Sequence, residues 1–78
     1  MNNPYRLVTR SRYIPNAYRV GDHEIIDSDV LEFVDDNEDV TLCRVEHDGL
    51  RYMVLTTDWR LFPLAELVWA RFVGRGLE

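Results

Sequence analysis

The chain has 78 residues, 46% of them hydrophobic and 12% aromatic, with one cysteine and a net charge of −5. That is enough apolar material for one small core, and the lone Cys43 excludes an internal disulfide framework and the usual zinc-ligand spacings. Charge is unevenly placed: residues 1–20 hold Arg6, Arg10, Arg12 and Arg19 and no acid, whereas residues 21–48 hold eleven acids against Arg44.

Residues 1–12 read as a basic, extended N-terminal arm. Met1 to Pro4 is polar and expected to fray. From Tyr5 the pattern alternates, with Tyr5, Leu7 and Thr9 on one side and Arg6, Val8 and Arg10 on the other, which predicts an extended segment or edge strand. Tyr13-Ile14-Pro15-Asn16 then breaks it, because proline disfavours a helical Ile14 and Pro-Asn favours a turn. Ala17 to Val20 is a second extended run ending at Gly21-Asp22. Ser28 as N-cap, Asp29 in the first turn and the spacing of Val30, Leu31, Phe33 and Val34 predict a short helix over 28–35, stopping at Asp35-Asp36-Asn37.

Val40 to Thr57 reads as a hairpin hinged at Asp48-Gly49, a pair suited to a two-residue type I′ turn. With His47 and Leu50 closing the turn, Glu46 is expected opposite Arg51, Val45 opposite Tyr52 and Cys43 opposite Val54. One face carries Cys43, Val45, Leu50, Tyr52 and Val54, and the other Val40, Leu42, Met53 and Leu55. After it, Pro63 at a first helical position and the composition up to Gly74 predict a helix over Pro63–Val73. A strand is the competing reading, because Arg60-Leu61-Phe62-Pro63-Leu64 followed by Leu67 resembles the closing strand of Sm-like barrels such as the WYL domain. Residues 74–78 read as a tail, with Leu77-Glu78 as vector-derived.

These elements predict one α+β domain over residues 13–73, a small antiparallel sheet built on the hairpin with the short helix and the C-terminal helical segment packed on it. The expected core is Leu7, Val20, Val30, Phe33, Val34, Leu42, Cys43, Val45, Tyr52, Val54, Leu55, Leu64, Val68 and Phe72.

Few constellations carry chemistry. Asp35, Asn37, Asp39 and Glu46 fall at calcium-loop positions, but Val40 stands where the sharp turn calls for glycine, so an acidic loop leading into a strand is the reading adopted. Cys43 and His47 share a strand face about 13 Å apart, too far for nucleophile and base. His23 reads as a solvated histidine, Asp27 and Asp29 as capping acids, and the glycines as turn residues rather than a phosphate cradle. The chain is therefore expected not to be an enzyme and to need no cofactor or metal. With no secretory signal and no apolar run near ~18 residues, it reads as a cytoplasmic monomer.

The arm is the candidate partner-binding site, through Tyr5, Arg6, Val8, Arg10, Arg12 and Tyr13, which mix guanidinium groups with aromatic and apolar surface. Two readings stand: an edge strand whose arginines pair with the chain's own acids, or an exposed docking element. The acidic bulk would repel phosphates, so a protein partner fits better than nucleic acid, with a small Sm-like or SH3-like binding module as the alternative.

From Met1-Asn-Asn-Pro-Tyr-Arg-Leu-Val-Thr-Arg10 through Val34-Asp-Asp-Asn-Glu-Asp-Val-Thr-Leu42 to the apolar C-terminal segment, the chain resembles small transcription regulators of lytic phages, such as a Xanthomonas phage. The resemblance implies binding to the host's bacterial RNA polymerase, inhibition of initiation by displacing σ, and antitermination. It places the segment around Tyr5, Arg6, Val8 and Arg10 against the N-terminal segment of the β′ subunit, near the RNA exit channel.

Overall fold

The computed structural model describes residues Asn3–Arg75. It holds eight strands, β1 (Arg6–Arg10), β2 (Tyr18–Val20), β3 (His23–Glu24), β4 (Val30–Val34), β5 (Val40–His47), β6 (Tyr52–Thr56), β7 (Leu61–Pro63) and β8 (Trp69–Gly74), with one 3-10 turn at Leu64–Glu66. They form one sheet in the order β3-β2-β1-β8-β4-β5-β6-β7, every neighbouring pair antiparallel. Laid flat, eight strands at ~4.8 Å spacing would span about 34 Å in one direction only. The molecule measures 31 × 29 × 25 Å, so the sheet coils around one of its own faces.

The α+β expectation is overturned, and both helices fail for a reason visible in side-chain shape. Val30, Leu31, Phe33 and Val34 satisfy a helical stripe and a strand alternation equally well, because a five-residue run is too short to separate the two periods. Branched and aromatic side chains favour the extended form, and β4 buries Leu31 and Phe33 while turning Val34 outward. Ser28 does not cap a helix: its φ is +77°, and its N–H donates to the Val45 carbonyl at 2.7 Å.

Pro63–Val73 contains one 3-10 turn and then β8. Val68, Trp69, Phe72 and Val73 suit a strand, and β8 joins the two halves of the sheet by pairing Leu7 with Trp69 on one side and Leu31 with Phe72 on the other. The register shifts between Val30 and Leu31, so a β-bulge marks where β4 meets the end of β8.

The hairpin forms, with its register displaced by two residues. His47 faces Tyr52, Val45 faces Val54 and Cys43 faces Thr56, leaving Asp48–Arg51 as the loop. Gly49 takes positive φ and Asp48 does not, which excludes the type I′ turn. Instead the Asp48 carboxylate accepts the N–H groups of Leu50 and Arg51 at 2.8 and 2.9 Å and holds a wider loop. Glu46 therefore meets Met53 across the ladder, not Arg51, and its ion pair is with Arg44 on its own strand. A shift of two preserves parity, so Cys43, Val45 and Val54 still share the inward face.

The core comprises Val20, Ile25, Leu31, Phe33, Cys43, Val45, Val54, Leu64, Leu67 and Ala70, with Val8, Tyr18, Tyr52, Phe62 and Phe72 packed against it. Of the expected core, Leu7, Val34, Leu42 and Val68 are exposed. They lie on the outer sheet face or, for Val68, just ahead of β8. Ala17, Ile25, Leu31, Leu67 and Ala70 are buried without having been expected.

Asp29 is wholly buried, its carboxylate accepting the Ile26 N–H and ion-paired at 3.0 Å with Arg75. Part of the segment read as a tail thus belongs to the fold, since Gly74 ends β8 and Arg75 neutralises this carboxylate. Gly76 to Glu78, with the expected vector-derived dipeptide, and Met1-Asn2 lie outside the described residues. Among the described residues no helix is long and apolar enough to cross a membrane.

Candidate interaction surface

The six residues expected to bind a partner do not form one outward surface. β1 lies between β2 and β8, so both of its edges are already hydrogen-bonded: Val8 faces Val20, Arg6 faces Ala70, and the Val8 N–H donates to the Val68 carbonyl. The edge-strand reading is overturned, and docking by strand addition at β1 goes with it.

Tyr5 is half-buried, its hydroxyl donating to Glu32 at 2.7 Å, while Arg71 holds the other oxygen of that carboxylate. These two partners, the tyrosine first, hold Glu32 below the ordinary carboxylate range, and the same hydrogen bond raises the tyrosine. Val8 turns inward onto the core.

Arg6 is exposed but held. Its stem crosses Gly21, which sits at φ +59° and where an added Cβ would lie 3.0 Å from the arginine Cγ. Its guanidinium donates to the carbonyls of Tyr5 and Asn3.

Arg10 ends β1, and Arg12 and Tyr13 follow in the loop joining β1 to β2. Ser11 fixes the root of this loop: its N–H donates to the Ala17 carbonyl, its hydroxyl accepts the N–H groups of Tyr13 and Ile14 at 3.0 Å, and the same hydroxyl donates to Glu24. Asn16 closes the turn at φ +64°. Tyr13 is left 77% exposed and Ile14 is open beside it, an apolar neighbour that the strand-centred reading passed over. The Pro15-Asn16 turn signal was the available clue to a projecting tip.

Among the described residues, four of the five arginines without an ion pair fall within residues 1–20. Arg44, Arg60, Arg71 and Arg75 each pair with a carboxylate, whereas among the described residues Arg6, Arg10, Arg12 and Arg19, together with Arg51 at the distant hairpin tip, form no ion pair. Among the described residues, Arg19 reaches only the carbonyls of Arg10 and Gly21. The reading in which the basic segment is absorbed by the acidic middle does not describe this fold.

The other candidate groups stand apart from this corner. Cys43 is buried, and loss of solvation pushes its thiol up to about 12. His23 stacks on Phe72 with ring centroids 4.0 Å apart. Asp35 folds its own acidic turn, accepting the N–H groups of Asn37 and Asp39 at 2.9 Å. Among the described residues no group of three or more His, Cys, Asp or Glu is placed to hold a metal ion.

Comparison of the chain with protein-family models, curated proteins and solved structures gives no match.

Proposed function

We propose that the chain is a non-enzymatic cytoplasmic interaction module of the phage-regulator type. In this reading it docks on bacterial RNA polymerase through its N-terminal basic corner, inhibits initiation by weakening σ, and favours antitermination. The observation that carries the docking surface is the set of arginines at this corner that lack carboxylate partners, beside the exposed Tyr13 and Ile14. Guanidinium groups around an exposed aromatic ring suit a carboxylate-bearing protein surface, giving charge-assisted hydrogen bonds at an apolar contact. The polymerase as partner, with its β′ N-terminal segment, follows from the resemblance to lytic-phage regulators.

The test compares polymerase binding and promoter-dependent transcription for the parent, Arg10→Ala, Arg12→Ala and Tyr13→Ala. Binding should weaken by about tenfold or more in the arginine variants, as for charge pairs removed from a desolvated interface, with the melting temperature almost unchanged. Parental binding and inhibition by all three folded variants would refute this surface. The same arginines also favour phosphate binding as a second reading. It predicts salt-sensitive capture of short RNA or DNA, against which the acidic body weighs.

A further inference from the structure

At one end of the sheet, the segment ahead of β1, the end of β4, the acidic turn after it, β7 and residues 66–69 enclose an open cleft of about 890 Å³. Phe33 and Phe62 meet edge-to-face in its lining, with ring centroids 5.9 Å apart. Val34, Val68 and Trp69 line it as well, and all three remain exposed. Among the described residues no element covers these apolar side chains, and the loop that carries Arg12 and Tyr13 is not part of the lining.

Charge selects the occupant. Among the described residues, Asp35, Asp36 and Glu66 line the cleft against a single cation, Arg60. That cation is already held by Asp58 at 3.0 Å and Asp35 at 3.5 Å, and Asp35 is further engaged by its own turn. Among the described residues the carboxylates of Asp36 and Glu66 make no hydrogen bond or ion pair. Two unengaged negative charges thus border an aromatic and aliphatic floor. An acidic partner would be repelled, and an uncharged apolar one would leave both carboxylates facing low-dielectric surface.

We propose that this cleft is a docking site for a basic, apolar-containing peptide segment of a partner protein. Arginine or lysine side chains of the segment meet Asp36 and Glu66, and an aliphatic neighbour covers Val68 and Trp69. The cationic stems also lie against the aromatic lining. The site is independent of the basic corner and takes a partner surface of opposite charge.

Fluorescence anisotropy with a short labelled peptide alternating arginine and leucine tests this, with a glutamate-leucine peptide as control. The arginine peptide should bind the parent in a salt-sensitive way and the glutamate peptide should not. Asp36→Asn combined with Glu66→Gln should weaken binding roughly fivefold to tenfold, the range for two partly solvated ion pairs. Val68→Ser should weaken it too, whereas Arg12→Gln, outside the cleft's lining, should leave it unchanged. All these positions are exposed, so matching melting curves will separate lost binding from lost folding. The proposal is overturned if the arginine peptide fails to bind, if the glutamate peptide binds equally, or if binding survives both cleft variants.

Discussion

Replacing Leu31 and Val34 separately with alanine distinguishes a strand from a helix over residues 30–34. On a helix, Val30, Phe33 and Val34 share the buried stripe, so Val34→Ala hollows out the core at least as much as Leu31→Ala. In the sheet, Leu31 is 0% exposed with Cys43 and Phe72 opposite it, while Val34 is 47% exposed near the outer end of β4. Removing a fully buried leucine side chain costs about 3–4 kcal/mol, combining lost transfer energy with the cavity left behind. Val34→Ala removes two methyl groups already about half in solvent and some β propensity, less than about 1 kcal/mol. At ~0.05–0.15 kcal/mol per residue, the whole domain has roughly 4–12 kcal/mol in hand, so Leu31→Ala should remove a large fraction of it. Equilibrium urea unfolding followed by far-ultraviolet circular dichroism reads this directly. The midpoint of Leu31→Ala should fall well below that of Val34→Ala with the slope unchanged. Equal losses in the two variants would refute the strand and the inward placement of Leu31.

Trp59 is 81% exposed at φ +67°, a left-handed conformation that bulky L-residues adopt at a cost, so Trp59→Gly should stabilise the fold by about 0.5–1 kcal/mol in the same assay. Glu32 is held below its ordinary value of 4.5 by the Tyr5 hydroxyl and then Arg71, so the unfolded chain takes up this proton first. Stability from that network is therefore complete above 4.5 and lost as pH falls through the lower folded value; Glu32→Gln should flatten part of the acid decline in melting temperature. Cys43, with its thiol raised to about 12, should resist alkylation in the folded protein at mildly alkaline pH and react once the chain is unfolded in urea.

Residues close in sequence carried what could be read without tertiary contacts. Alternation along Val40 to Thr57 separated Cys43, Val45 and Val54 from Val40 whatever the register, because side chains in a strand repeat every two residues. Pro15-Asn16 and Gly21 marked turns through backbone preferences that act locally, and positive φ at Asn16 and Gly21 agrees with them. The arginine-rich start and acidic middle were likewise plain from composition.

Distant partners decided the rest. Val30–Val34 and Trp69–Gly74 become strands because each pairs with chain far away, Leu31 with Phe72 and Leu7 with Trp69, and a propensity scale contains no such neighbour. β1 loses its free edges for the same reason: β8 returns from the far end of the sequence to lie beside it. That one placement moves the exposed basic surface from a strand edge to the loop tip at Arg12 and Tyr13. It also helps to shape the cleft bordered by Asp36 and Glu66, since its lining comes from segments that meet only once the sheet has coiled.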